Sequence, residues 1–249
     1  MEQFNPFSLK GKEILVTGAS SGIGKAIAIA CAKMGATLII TARNEQRLTE
    51  TINLMPQGNH KAIKADLTKQ EDIDNLVSQL PQLNGFVQCA GVGSRVLCKN
   101  IRKEDIQYIF QPNVLAPILL QTVILEKKKI SKGASIVYIA SRAAEAPSIG
   151  NATYSASKGA ILSYAKCLAL ELAPRMIRVN SICPAMIWTE LILQEGITKE
   201  QLEEAQLKYP LKRYGQPEDV ANLAIYLLSD ASSWMTGSSI DLTGGAKEL

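Results

Sequence analysis

The stretch "SRAAEAPSIGNATYSASK" holds the first residues that could do chemistry. Tyr154 and Lys158 are four apart, so on a helix they share one face. A tyrosine, with an ordinary pKa of about 10, is a poor acid or base near neutrality. A neighbouring ammonium favours the ionised phenol and can bring it into use. Ser141 closes a β-branched run thirteen residues before the tyrosine and adds a hydroxyl. Such a group could exchange a proton with a carbonyl or alcohol oxygen. The pair alone is weak evidence, because helices carry many Tyr-x-x-x-Lys pairs by chance.

A second cluster, "TGASSGIG" at 17–24, stands between the β-branched "EILV" and an apolar helical pattern. A turn needs one glycine, and here there are three. A helix N-terminus carries unsatisfied N–H groups and the positive end of the helix dipole, which suits an anion. Gly18 permits the tight exit from the strand, Gly22 lets a phosphate approach the backbone, and Gly24 lets the helix pack on the strand. Ser20 and Ser21 either hydrogen-bond the phosphate or cap the helix that opens at Gly22–Ile23. The spacing is G-x-x-x-G-x-G, not the commoner G-x-G-x-x-G. The next strand ends "ITARN", where an NAD site would place a carboxylate for the ribose 2′-hydroxyl. Ala42 and Arg43 stand there instead, and a guanidinium suits a 2′-phosphate.

The elements that position these groups alternate regularly. Strand-like runs occur at 13–17, 37–41, 61–65, 85–89, 135–140, 177–183 and 238–243. Amphipathic helical patterns fill most gaps: 23–34, 45–55, 69–80, 103–129, 153–172 and 217–229. The strands are short and nearly all apolar, as when helices cover both faces of a parallel sheet. This predicts a single α/β domain over 1–249, a doubly wound parallel sheet of about seven strands. The charged helical segment 188–213 breaks the rhythm. It reads as surface decoration or, leaving a strand's C-terminal end, as a flap over a site.

Composition excludes several classes. With 27 basic and 23 acidic residues the charge is mild and scattered, apart from Lys127–Lys129, and aromatic residues are 5%. Nucleic-acid binding needs a denser basic face. The apolar runs are too short for a membrane span and the first residues do not read as a signal peptide, so a soluble cytoplasmic protein is expected. Cys31, Cys89, Cys98, Cys167 and Cys183 are odd in number and lack C-x-x-C spacing, reading as reduced core thiols. His60 is the single histidine; a surface role is expected, and no metal site.

Taken together, the ordered motifs resemble the single-domain branch of the short-chain dehydrogenases/reductases. They are TGASSGIG, Asp66-Leu67, "CAG" at 89–91, Asn113, Ser141 with Tyr154 and Lys158, "CPAMIWT", "RYGQPEDVA" and "MTGSSIDLTGG". The likeness runs from Leu9 to Gly245, and the chain is similar to the 3-oxoacyl-(acyl-carrier-protein) reductases. It implies a Rossmann-like fold and an NADP(H)-dependent transfer of hydride to or from a carbonyl or secondary alcohol. Tyr154 would be the general acid, Lys158 would hold the nicotinamide ribose, and Ser141 would orient the carbonyl. Asn113 would kink its helix and hold a water that relays protons to Lys158. Asp66 and Leu67 would flank the adenine, Ala90 and Gly91 would line the cofactor, and Thr189 would meet the carboxamide. Gly18, Ser20, Ser21, Gly22, Ile23, Gly24, Arg43, Pro184, Ala185 and Ile187 complete the cofactor contacts. Two positions depart from the family pattern. Gln88-Cys89 replaces a pair of asparagines, which puts the bonds steadying that loop in doubt. Ala185 replaces a glycine, which stiffens the backbone there.

The resemblance leaves the substrate open. The expected walls are Val92, Ala143, Ala144, Ile149, Met186, Trp188, Leu191 and Ile192, mostly apolar, which favours a 3-oxoacyl thioester over another ketone, a steroid or a sugar. Arg175 and Lys132 match positions that are basic in the carrier-protein reductases, which makes an acyl carrier protein a possible partner. A homotetramer is implied, with 154–173 apolar on more sides than one covered face needs. The competing class is a cofactor-binding sensor without catalysis.

Overall fold

The inner strands form because most of their side chains are buried on both sides, whereas the edge strands at Lys61–Lys64 and Ser239–Leu242 are largely exposed or half-buried. In the computed structural model, which describes residues 4–193 and 198–246, seven parallel strands make one sheet in the order β3-β2-β1-β4-β5-β6-β7. They are β1 Glu13–Thr17, β2 Thr37–Ala42, β3 Lys61–Lys64, β4 Leu83–Gln88, β5 Ile130–Ile139, β6 Arg178–Pro184 and β7 Ser239–Leu242. The helices are α1 Gly22–Lys33, α2 Glu45–Asn53, α3 Gln70–Ser78, α4 Lys103–Phe110, α5 Ala116–Glu126, α6 Ala152–Leu172, α7 Glu190–Leu193, α8 Lys199–Gln206 and α9 Pro217–Leu228. The doubly wound architecture predicted from the sequence is the one observed.

Alternation along a strand decides which core a residue joins. Ile14 and Val16 enter a cluster with α1, α2 and α9, whereas Leu15 between them enters a cluster with α3, α5 and α6. The strand order reverses between β1 and β4, so the loops leaving their C-terminal ends diverge and open a crevice.

The predicted long helix 103–129 is interrupted. A π-helical turn, Gln111–Leu115, separates α4 from α5, and Pro112 and Pro117 remove two ladder donors around it. The stretch Lys103–Glu126 is long and apolar enough to span a membrane, but half of it is buried within the protein. β5 starts earlier than the predicted 135, and its register against β4 shifts between Leu83 and Gly85.

Segment 188–213 leaves the sheet through a stapled neck. Trp188 N–H donates to Gly215 C=O at 2.9 Å, and Gly215 N–H donates to Met186 C=O at 3.0 Å. A Cβ on Gly215 would press on Ile187 Cδ1, so the Ile187 side chain would have to shift to admit one. Beyond the neck, Ile192, Leu202 and Tyr214 form a small core of their own with Trp188 and Tyr209. Residues 194–197 of the predicted flap and 247–249 of the predicted last segment lie outside the described residues.

Candidate active site

A cleft of about 490 Å³ opens at the reversal point, over the C-terminal ends of the strands. Its floor is the glycine loop. Gly18 and Gly22 have φ of +68° and +50°, a region that side chains disfavour. A Cβ on Gly18 would stand 2.9 Å from Ala90 Cα, and one on Gly24 would strike the Gly18 carbonyl. The third glycine therefore lets α1 close onto its own loop. A Cβ on Gly22 would press the Thr189 methyl at 3.2 Å. Ser21 is the N-cap of α1 by position, but its side chain makes no capping bond. The loop thus presents bare backbone and two hydroxyls to the crevice, a cradle that fits a dinucleotide pyrophosphate.

The departure at Gln88-Cys89 has a structural answer in Thr17, which the sequence reading passed over. Its Oγ1 accepts from Cys89 N–H at 3.0 Å and Ala90 N–H at 3.1 Å, tying the loop after β4 to the end of β1. Gln88 Nε2 turns inward and donates to Pro117 C=O at 3.0 Å and Tyr138 Oη at 3.2 Å. Ala185 carries no strain, because it is absent from the residues with positive φ. Its N–H donates to Leu242 C=O at 3.1 Å.

At the end of β2, Arg43 is exposed and lines the cleft beside Ala42. Opposite it is Asp66. Burial opposes ionisation of Asp66, yet hydrogen bonds from the Thr68 hydroxyl and N–H, with the charges of Arg43 and Lys69, hold its carboxyl below the ordinary range. Arg47, not singled out by the sequence, also lines the cleft, and its Nη1 donates to Glu190 Oε2 at 2.7 Å. That pair crosses from α2 to α7.

The proton-transfer candidates meet at the far end. Ser141, Tyr154 and Lys158 all line the cleft. Ser141 Oγ accepts from Ala143 N–H at 3.1 Å, which leaves its O–H to donate to a ligand. Lys158 is buried; its Nζ donates to Ile139 C=O at 3.0 Å and lies 5.7 Å from the Tyr154 ring centroid. Asn113 does not line the cleft. It is buried on the π-helical turn, where Oδ1 accepts from Val92 N–H at 2.8 Å. Its Nδ2 donates to Val92 C=O at 2.9 Å and Ser157 Oγ at 3.2 Å. Both amide hydrogens are therefore spent on position, leaving one acceptor lone pair for a water. Gly91 fits this corner, since a Cβ there would lie 3.0 Å from Asn113 Oδ1 and 3.7 Å from Lys158 Nζ.

All the cofactor contacts named from the sequence lie on this one cleft, as do Val92, Ala143, Met186, Leu191 and Ile192 among the substrate walls. Three expected walls do not. Trp188 turns into the small core beyond the neck, where its Nε1 donates to Gln206 Oε1 at 3.0 Å. Ala144 packs with Ala140, Leu162 and Cys183. Ile149 is 85% exposed and faces a separate depression with Leu97 and Pro147. Arg95, in the loop after β4, lines the cleft and had no sequence signal. Arg175 points away from the site: it donates to Ile130 C=O at 2.6 Å, at the N-terminal end of β5, opposite the cleft. Lys132 stands near that same end.

His60 ties β2 to the loop that leads into β3. Its Nδ1 accepts from Leu38 N–H at 3.1 Å and its Nε2 faces Pro56 C=O at 3.1 Å, which assigns the ring proton to Nε2. The cysteines are not all core. Cys31 and Cys183 are buried, Cys89 lines the cleft, and Cys98 and Cys167 are exposed. Among the described residues no cluster of His, Cys, Asp or Glu could hold a metal ion.

The chain is similar to known proteins over most of its length. A family profile described as "Enoyl-(Acyl carrier protein) reductase" matches residues 18–247. The chain is 35% identical over 237 residues to the 3-oxoacyl-(acyl-carrier-protein) reductase FabG of Rickettsia felis, covering 95% of this chain and 97% of that one. It superposes with a TM-score of 0.86 and 30% identity on the 3-ketoacyl-(acyl-carrier-protein) reductase of Brucella melitensis complexed with NADH, covering 96% and 99% of the two chains. A candidate NAD(P)-dependent gluconate 5-dehydrogenase from Beutenbergia cavernae, with NADP bound at low occupancy, superposes equally well, with a TM-score of 0.86, 30% identity and coverage of 97% and 98%.

Proposed function

The chain belongs to the short-chain dehydrogenase/reductase family, an oxidoreductase family of CH–OH and C=O groups, and from that membership we propose that it is an NADP(H)-dependent carbonyl reductase acting on 3-oxoacyl thioesters. The observation that carries the reading is one cleft holding the glycine cradle and Arg43 at one end and Ser141, Tyr154 and Lys158 at the other.

A nicotinamide bound there supplies the hydride. The remaining work falls to the chain. Ser141 donates its O–H to the carbonyl oxygen and fixes its orientation. Tyr154 gives its phenolic proton to the same oxygen as negative charge develops on it. The buried Lys158 ammonium stabilises the phenolate left behind. Asn113 holds Val92, and with it the loop at Ala90 and Gly91, against the cleft. Arg43 recognises the 2′-phosphate, and α7, through Leu191 and Ile192, covers the substrate. A sensor without catalysis would not need Asn113, Ser141, Tyr154 and Lys158 all in place.

The thioester reading is supported by Val92, Ala143, Met186, Leu191 and Ile192, an apolar lining next to the acid. The likeness to a gluconate dehydrogenase favours a polyol as the competing substrate. Self-association into a tetramer is supported by apolar side chains left on the surface of α5 and α6, among them Leu119 at 42% and Leu170 at 78% exposure. The free cysteines fit a reducing compartment such as the cytoplasm. The test is kcat/KM with NADPH for acetoacetyl thioesters, cyclic ketones and keto-polyols. The thioester is expected to lead; a polyol ahead by tenfold would overturn the substrate assignment.

A further inference from the structure

Three segments that carry the proton-transfer groups meet at one buried amide. Gln88 ends β4, immediately before the loop at 89–92, and is not among the residues that line the cleft. Its Nε2 carries two hydrogens and spends both, one on Pro117 C=O at 3.0 Å and one on Tyr138 Oη at 3.2 Å. Pro117 stands just past the π-helical turn that carries Asn113. Tyr138 precedes Ile139, whose C=O accepts from Lys158 Nζ at 3.0 Å. One side chain thus spans the cofactor loop, the Asn113 turn and the strand end that holds Lys158.

Two ties join the first pair of these segments. Asn113 holds both the N–H and the C=O of Val92, and Gln88 holds Pro117. Val92 lies four residues after Gln88 and Asn113 four before Pro117, so the ties are the two rungs of one short frame. A π-helical turn is a rare geometry, and Pro112 and Pro117 remove ladder donors around it. A bond from outside the helix is one means of fixing where such a turn sits. The outside anchor is firm. Tyr138 is Gln88's register partner on β5, is 1% exposed, and stands edge-on to Tyr164 with ring centroids 6.1 Å apart. In so buried a place hydrogen bonds are stronger than in water.

We propose that Gln88 is a positioning residue for proton transfer: it sets the π-helical turn so that Asn113 keeps its place beside Gly91 and Lys158. The proposal rests on the reading of Tyr154 and Lys158 as the proton-transfer pair. It also gives the departure at this position a use, because a side chain one methylene longer than asparagine reaches α5. Gln88 acts through Asn113, so its removal slows the chemical step and spares cofactor binding.

The test is a double-mutant cycle on the single-turnover rate of NADPH oxidation, with whichever of the thioester, cyclic ketone and keto-polyol reacts fastest. Gln88→Met keeps the length and removes both donors. It is expected to lower the rate about tenfold and to leave NADPH binding within twofold. In an Asn113→Ala background the same change is expected to cost less than twofold, because the side chain it positions is gone. A purely structural role would lower the rate by the same factor in both backgrounds. Gln88→Asn, one methylene short of Pro117, is expected to repeat the loss and the coupling, and serves where the methionine variant does not fold. Equal losses in both backgrounds, or a wild-type rate from Gln88→Asn, would overturn the positioning role and leave the proton-transfer reading intact. A wild-type rate from Tyr154→Phe would overturn that reading itself.

Discussion

On the cofactor side of the cleft the wall is backbone laid on backbone. Gly18 rests against Ala90, α1 closes on the Gly18 carbonyl, and Thr17 binds the N–H groups of Cys89 and Ala90. On the substrate side the wall is side chains on connections: a small core around Ile192, Leu202 and Tyr214 beyond a neck at Gly215, and loops at 92–101 and 145–151. The first wall is continuous with the sheet and has no room to adjust. The second hangs from it by a few bonds and can change residue by residue. A shared reaction needs the first to be rigid, and a chosen substrate needs the second to be variable.

The largest effect is expected where the walls meet. Tyr154→Phe removes only the acid and is expected to lower kcat by about 10²–10⁴-fold while NADPH still binds, read by steady-state kinetics and by quenching of protein fluorescence. Retention of more than a tenth of the wild-type kcat would mean that the proton comes from elsewhere.

Gly24→Ala probes the rigid wall directly. The added methyl would strike the Gly18 carbonyl, which cannot move without its strand. Destabilisation of about 1–3 kcal/mol in urea unfolding, with weaker cofactor binding, is expected. A variant as stable as the wild type would break the comparison.

Arg43→Ala sharpens it by removing a side chain from the same wall without touching its backbone. The KM for NADPH is expected to rise about tenfold, the scale of one lost charged hydrogen bond, with that for NADH nearly unchanged. Equal losses with both cofactors would remove Arg43 from the 2′-phosphate.

Thiol reactivity separates the walls more gently. Burial pushes the thiols of Cys31 and Cys89 up to about 12 and that of Cys183 to about 11, so all three stay protonated at pH 8. Iodoacetamide at that pH is expected to label Cys98 and Cys167 and to spare Cys89, although Cys89 lines the cleft; mass spectrometry of the digested protein reads the result. The smallest effect is expected at an ion pair that crosses between the walls. Arg47 and Glu190 are both about half exposed, and water screens such pairs. Glu190→Gln is expected to speed NADPH release by less than about fivefold in stopped flow.

The same contrast explains what could be read in advance. The glycine loop, the alternation of strands and helices and the Tyr154–Lys158 helix were legible because each constrains local sequence: glycine where a Cβ cannot fit, apolar runs where two faces are covered, spacing of four on a helix. Thr17 was missed because a threonine ending a strand looks like any β-branched residue; only the fold brings Cys89 and Ala90 to it. Trp188 and Ile149 were misplaced because an apolar residue near a site can fill a pocket, a local core or open surface, and that choice is made by distant partners such as Gln206. Arg95 and Arg47 carried no periodic or motif signal, since both reach the cleft from connections or helix ends. Arg175 matched a family position in sequence, yet β5 runs away from it toward the site.

The central claim is that this cleft passes a hydride from NADPH to a carbonyl carbon with Tyr154 supplying the proton. The most direct measurement uses NADPH deuterated at the transferable position with acetoacetyl N-acetylcysteamine and follows the product by mass spectrometry. The account expects a 3-hydroxyacyl product carrying one deuterium from the wild type and none formed by Tyr154→Phe on the same timescale. Binding of NADPH with no label transferred to this or any carbonyl of the test panel would contradict it and leave a cofactor-binding protein without catalysis.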